Sequence, residues 1–371
     1  GSGAGSGGQN IAMGRCAMTS NYYGTNNIAL GAGAQCGNCG SYNIALGANS
    51  MRSSGSSGST GTNNVAIGQY SLVSLTTGYC NIAIGSCALY TNTTGSNNMA
   101  QGYRALYSNS TGCNNIAFGS TALYSNTTAN ENIAMGLNAL KCNQTGNNNV
   151  AIGTGTLYGN KFGAHNVAQG YKGLANNTSG GCNVAIGFCP LVLNSSGNYN
   201  IGIGAFASNC LTTGNYNVSI GTCNLFFNRT GNNNIGIGCG AGRCSTGSNN
   251  VFIGGNAGCA IVSGSNNTVI GPVVGSADMV CTLLLAAGTC ERLRIGSDGC
   301  LCINGALYSP SVATATPTVL GTVYANTNST YYNVAVGYVA GNTTQTGTQN
   351  VSIGPCAGAS LTCGGCNLLI G

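Results

Sequence analysis

The sequence predicts an all-β protein, a β-solenoid or β-roll in which each 17-residue unit makes one coil. A motif Asn-(Ile/Val)-Ala-(Ile/Leu/Met)-Gly recurs, its Asn standing at 10, 27, 43, 64, 81, 98, 115, 132, 149, 166, 183, 200, 217, 234, 250 and 267, then at 333, 350 and 367. From Asn64 to Asn234 every step is 17 residues, a constancy that variable loops would lose and stacked coils require. The composition agrees: 4% of residues are charged, 63 are glycine and none is Trp, where ordinary soluble domains carry about a quarter charged residues. The glycines keep no G-X-Y period, and 43% apolar content is too high for a disordered linker.

Within a unit, counted from the motif Asn as position 1, residues such as Asn81-Ile82-Ala83-Ile84-Gly85 alternate with period 2 and read as a short strand. Ile82 and Ile84 share one face, and Asn81, Ala83 and Gly85 the other. Position 9 adds a leucine (Leu72, Leu89, Leu106, Leu123 and onward), and position 15 is nearly always a glycine, as at Gly95 and Gly112, within Thr-Thr-Gly or Thr-Gly contexts that read as turns. One unit has too few apolar side chains to offset the entropy of ordering it. Stacking is therefore expected to bury the Ile and Leu residues as continuous ladders, with coils ~4.8 Å apart.

The Asn column at position 1, including Asn81, Asn98, Asn115, Asn132, Asn149, Asn166 and Asn183, is placed to form an amide ladder of the cross-β kind. The alternative is that these residues only shape local turns. Gln101 and Gln169 replace the apolar residue at position 4, each followed by Gly-Tyr-(Arg/Lys), and a polar group there points to a wet inter-chain axis.

The period stops between Gly271 and Asn333, which divides the chain into a repeat array at 1–271, a β-hairpin insertion with a Pro/Thr-rich connector at 272–332, and resumed repeats at 333–371. In the insertion, the stretches Leu283 to Gly288 and Arg292 to Ile303 read as strands, the second turning at Gly296 to Gly299. The opening Gly-Ser-Gly run reads as part of a processed or truncated piece, and neither end carries the polar cap a solenoid needs.

The motif units resemble the head repeats of trimeric autotransporter adhesins. Units such as Asn132-Ile-Ala-Met-Gly and Asn250-Val-Phe-Ile-Gly-Gly-Asn-Ala-Gly resemble still more closely the repeat arrays of viral and phage tail fibres. The resemblance implies a left-handed, trimeric β-roll, although the adhesin repeat is shorter than the 17 residues found here. The stretch Glu291 to Gly299 is similar to a module common in phage tail fibres.

Catalysis is not expected. His165 is the only histidine, and Glu131 is the only acidic residue before Asp278, so a triad or carboxylate pair lacks partners. Gly236 to Gly242 misses the dinucleotide-loop spacing, and the aspartates of calcium-binding β-rolls are absent. No cofactor or metal is expected: Cys36/Cys39 and Cys363/Cys366 are C-x-x-C pairs too far apart in sequence to share one zinc. The ten basic residues are scattered, which excludes a nucleic-acid footprint, and no apolar run has the ~20 residues of a membrane helix.

Twenty-one cysteines point to an oxidising compartment. Cys80/Cys87 and Cys182/Cys189 bracket a strand in the same way twice, at positions 17 and 7. Seven extended residues span ~23 Å, too far for a disulfide within one strand. These thiols are expected either to bond another chain or coil, or to act as small apolar residues. Asn92, Asn109, Asn126, Asn143, Asn177, Asn194 and Asn228 are sequons in phase at position 12, readable as glycan acceptors or simply as turns.

The expected function is a structural fibre or spike shaft, extracellular or on a virion surface, that presents or mediates attachment. Its partners are further copies of itself, as a homotrimer, and a host-surface receptor or glycan. Two alternatives are a disulfide-crosslinked filament stacked end to end and an ice- or glycan-binding solenoid. Tyr90, Tyr107, Tyr124 and Tyr158, recurring at position 10, motivate the last.

Overall fold

The computed structural model describes residues 8–53, 58–288, 290–297 and 301–303, together with the strands Ala306–Tyr308, Val334–Val336, Val351–Ile353 and Leu368–Ile370 and isolated residues 357, 365 and 367. Cys356, Cys363, Cys366 and the Pro310/Pro317 connector lie outside the described residues. Every described element is a strand, and from Ile11–Met13 to Thr268–Ile270 each pairs in parallel with the next. The pairing is position for position: Ile82 faces Met99, Ala83 faces Ala100 and Ile84 faces Gln101. This is a β-solenoid, and its coils are the 17-residue units.

Backbone hydrogen bonds run between coils around the whole circuit, not only at the strand. Ile82 N donates to Asn98 O (2.8 Å), Leu89 N to Ala105 O (3.0 Å), Thr91 N to Tyr107 O (3.0 Å) and Thr93 N to Ser110 O (2.9 Å). The peptide groups of one coil are thus completed by its neighbours, which is why no unit folds alone. The path closes through left-handed backbone at fixed positions. Position 5 is glycine with φ near +130° (Gly85, +128°), and positions 7, 9 and 17 hold ordinary residues at φ between +50° and +60° (Cys87, Leu89, Asn97). A left-handed L-residue costs roughly 1 kcal/mol or more, so each coil carries strain that only the stacked hydrogen bonds offset.

The inside of the coil is the reverse of what hydrophobicity alone suggests. From the second coil on, the described position-3 alanines and position-1 asparagines are buried, whereas the Ile and Val residues at positions 2 and 4 are half-buried or exposed. The expected burial of the Ile ladder is therefore wrong, while that of the Leu ladder is right. The reason is volume. The interior is filled by leucine at position 9 and alanine at position 8, such as Leu89 and Ala88. At Gly202, a position-3 glycine, an added Cβ would already sit 2.9 Å from Leu191 Cγ. An Ile side chain cannot fit there.

One exception confirms this volume rule. Phe252 occupies position 3 and is fully buried, and the position-9 residues around it are Gly242 and Gly258 instead of leucine. A second exception is a defect. Gln35 stands in the leucine column, fully buried, with neither amide atom hydrogen-bonded. Replacing Gln35 by Leu is expected to raise stability by about 1–3 kcal/mol, the cost of the unpaired amide; an unchanged or lower thermal midpoint would contradict this.

The stack tolerates changes in coil length. Asn64 N donates to Asn43 Oδ1 (2.9 Å) across a 21-residue coil, and Asn250 N to Asn234 Oδ1 (3.0 Å) across a 16-residue one. It also continues past Gly271: Thr282 takes the motif Asn position, its N bonded to Asn267 Oδ1 (3.1 Å), and Leu283–Ala287 pairs in parallel with Thr268–Ile270. Antiparallel pairing begins only there, as Cys290–Ile295 turns back on Leu283–Ala287 and is followed by Leu301–Ile303 and Ala306–Tyr308. The strands Val334–Val336, Val351–Ile353 and Leu368–Ile370 pair in parallel at the same 17-residue step.

Candidate assembly face and its side-chain columns

Stacking turns each repeat position into a column of like side chains. The motif Asn column forms an amide ladder from Asn43 to Asn183 and from Asn200 to Asn267, the two stretches joined by Asn200 N donating to Asn183 Oδ1 (2.9 Å). Asn98 Nδ2 donates to Asn81 Oδ1 (3.1 Å) and to Gly112 O (2.8 Å), and Asn98 N donates to the same Asn81 oxygen (3.0 Å). The amide-to-amide bond recurs at Asn115, Asn132, Asn149, Asn166 and Asn183. These amides satisfy backbone inside the coil, so a polar column replaces part of the apolar core without an unpaired group.

A second ladder, not anticipated from the sequence, lies at position 12. Asn109 Nδ2 donates to Asn92 Oδ1 (2.8 Å) and to Gly112 O (2.9 Å), and Asn126, Asn143, Asn177 and Asn194 continue the chain of bonds. These are the sequon asparagines. All of them, with Asn228, are fully buried, and Nδ2, the atom a glycan would occupy, is donated internally. The folded coil leaves no room for a glycan there, which corrects the glycosylation expectation. Asn160 holds the same place although Asn160-Lys-Phe is no sequon. The ladder explains the column; the sequon is incidental. Where Leu211 follows Asn194 the ladder stops, and Asn194 Oδ1 is left without a partner.

Outside, the position-2 and position-4 columns form a strip of Ile and Val along the strand face, with Ile67, Ile152, Ile220, Ile237 and Ile270 each about 37–40% exposed. Soluble surfaces rarely keep apolar patches beyond a few hundred Å² without a partner. Gln101 and Gln169 interrupt the strip, and both are exposed. The strip ends at position 17 before the strand and at positions 6 and 7 after it. The cysteine pairs occupy these two limits, with Cys80 and Cys182 exposed and Cys87 and Cys189 half-buried, and all four are free thiols within the chain. Burial pushes the Cys189 thiol up, against an opposing pull from Lys172.

The remaining faces carry aromatic and hydroxyl columns. Tyr90, Tyr107 and Tyr124 stack on one another at 5.0 and 5.1 Å, with the Arg104 guanidinium over Tyr103 and Tyr107 and the Lys141 ammonium over Tyr158. The Tyr107 ring thus lies between two neighbouring rings, and one side of the Tyr158 ring faces a cation. The position-13 hydroxyls are likewise engaged, Thr93 Oγ1 donating to Ser110 O (3.0 Å) and Ser110 Oγ to Thr127 O (3.0 Å).

Burial and the adjacent Tyr90 and Tyr124 phenols push the Tyr107 phenol above its ordinary value. A raised folded value means a contribution present below the ordinary phenol pKa of about 10 and lost as pH rises through the folded one. The thermal midpoint is therefore expected to fall in alkaline solution, and less so in Tyr107→Phe; equal falls would contradict the assignment.

His165 and Glu131 both stand exposed in the position-17 column, separated there by Asn148. Among the described residues no three His, Cys, Asp or Glu side chains gather to hold a metal ion, and no helix is long and apolar enough to cross a membrane. No family model matches the chain, and no curated protein matches it.

Proposed function

We propose that the protein is a non-catalytic shaft, a homotrimer of parallel solenoids joined along their Ile/Val strips, that holds an attachment element away from a cell or virion surface. The observation that carries this reading is the exposed aliphatic strip on a coil whose interior is otherwise closed. Its columns repeat once per coil, at the ~4.8 Å strand spacing. A partner that meets such a strip over many coils must repeat at the same pitch, and another copy of this chain does. Three copies is the number implied by the resemblance to trimeric adhesin heads.

The reading is tested by native mass under reducing conditions together with electron microscopy. A discrete trimer of rods supports it, indefinite polymers favour the filament, and a monomer removes both. Ile152 is exposed at the centre of the strip, so Ile152→Lys is expected to leave the single-chain fold intact and break the oligomer. Unfolding of that variant, or an unaffected oligomer, would count against the strip as the interface.

A further inference from the structure

A uniform Ile/Val strip has a physical problem: it cannot define axial register. Sliding one chain past another by one coil loses a single coil of overlap out of the sixteen from Asn10 to Asn267, and every remaining contact is again aliphatic on aliphatic. Two sets of exceptions in this chain solve the problem in the same geometry. Gln101 sits in the position-4 column between Ile84 and Phe118, and Gln169 between Ile152 and Ile186. In register, Gln meets Gln of the neighbour; one coil out of register, each amide is buried against an aliphatic or aromatic side chain. An unpaired buried amide costs about 1–3 kcal/mol, and a single polar residue in an apolar seam is known to fix register in this way.

The second set is the cysteines. Rotation about an axis parallel to the solenoid brings the leading limit of one strip against the trailing limit of its neighbour at the same coil level. Position 17 of one chain then meets position 7 of the next. Antiparallel packing would instead bring position 17 against position 17. Among the described cysteines that directly precede a motif position 1 (Cys80, Cys182 and Cys281), two are followed by a cysteine at position 7 of the coil that begins there, Cys87 and Cys189. Tyr199, at position 17 just before Asn200, is likewise followed by Phe206 at position 7 of the coil that begins there, another like-with-like match.

Resting on the homo-oligomer proposed above, we infer that Cys80 bonds Cys87 of the neighbouring chain, and Cys182 bonds Cys189, in a parallel assembly whose register is set by Gln101 and Gln169. Each link closes at one coil level, so in a rotational assembly the chains join as a covalent ring at two heights along the shaft. The oxidant is a low-molecular-weight disulfide. The thiolate of the exposed Cys80 attacks it, expelling one thiolate and forming a mixed disulfide. The neighbour's Cys87 thiolate then attacks Cys80 Sγ and expels the second. Two protein thiols lose two protons and two electrons, and the small disulfide becomes two thiols.

The test uses the full chain, purified reduced and then treated with oxidised glutathione. Native mass is measured before oxidation, and peptides are mapped by mass spectrometry afterwards. Unfolding and refolding together chains expressed separately in isotopically light and heavy form separates inter-chain from intra-chain links. Mixed-isotope Cys80–Cys87 and Cys182–Cys189 peptides are expected. A chain carrying Cys80→Ser and Cys182→Ser, co-expressed with one carrying Cys87→Ser and Cys189→Ser, should retain both links, while either chain alone should lose them. The Gln101→Ile, Gln169→Ile chain, whose substitutions restore the residue type of the column, should keep its oligomer but lose several-fold in yield of both linked peptides. Cys80–Cys80 links, or a reduced oligomer in which these four thiols stay open to alkylation after oxidation, would overturn the inference and leave the shaft standing. A monomer before oxidation would overturn both.

Discussion

Replacing Gly119 by Ala is expected to break the stack at one level. The residue has φ +135°, a conformation that L side chains rarely adopt, and an added Cβ would lie 2.5 Å from Gly136 O and 2.7 Å from Gly136 C in the next coil. Neither obstacle is a flexible side chain: both belong to the backbone, held by the inter-coil bond from Gly136 N to Phe118 O (2.7 Å). Strain and overpacking each cost about 1–3 kcal/mol, and the coils cannot separate without losing their hydrogen bonds. The loss should reach about 3 kcal/mol or more and be local, because each coil of a solenoid touches only its neighbours. Hydrogen exchange should show lost protection around Phe118 and Met135, fading over a few coils. Gly255→Ala is the control, since nothing lies within 4 Å of its added Cβ and its φ is ordinary. Equal effects at both glycines would show that the left-handed corner does not govern stacking.

Replacing Asn115 by Asp should be as damaging, and in a pH-dependent way. The Asn115 amide nitrogen donates to Asn98 Oδ1 (3.1 Å) and Ala129 O (2.8 Å), while its oxygen accepts from Asn132 N (3.1 Å) and Nδ2 (3.2 Å). A carboxylate keeps the acceptor but puts a second oxygen against two acceptors, fully buried and with no cation beside it. Burial and these acceptors raise the folded pKa of the introduced carboxyl above the ordinary ~3.9. The linkage sign follows: stability is highest where the group is protonated and falls as pH rises past the unfolded pKa, by about 1.4 kcal/mol per pH unit until the folded pKa is reached. A thermal midpoint moderately below wild type at pH 4, where the neutral carboxyl supplies one donor for two acceptors, and far below it at pH 7 is the expected result. The same deficit at both pH values would mean that the amide donor, and not the charge, dominates; no deficit would remove the ladder as a source of stability.

Much of the architecture is legible in the sequence because a solenoid writes its period into the chain. The 17-residue step, the strand at positions 2 to 4, the leucine column and the asparagine column all follow from residue types recurring at fixed spacing. The second amide ladder was equally present as a recurring Asn, but the hydroxyl two residues later gives it the look of a sequon. Asn160, which lacks that hydroxyl, is the signal that distinguishes the two.

What only the tertiary structure decided is which side of the strand faces in. Period 2 assigns Ile82 and Ile84 to one face and Asn81 and Ala83 to the other, but not the inside. Hydrophobicity alone favours Ile. The interior goes instead to Ala83, Ala88 and Leu89, because three left-handed positions and a glycine corner draw the coil too tight for Ile opposite Leu. Leucine at φ +51° has no signature in sequence, since its preferences give no reason to expect it there. That tightness, imposed by the stacked backbone, also buries the sequon asparagines and leaves the aliphatic strip outside. The sequence by itself determines the repeat and its pitch; the packing of one coil on the next determines which of its faces is left for a partner.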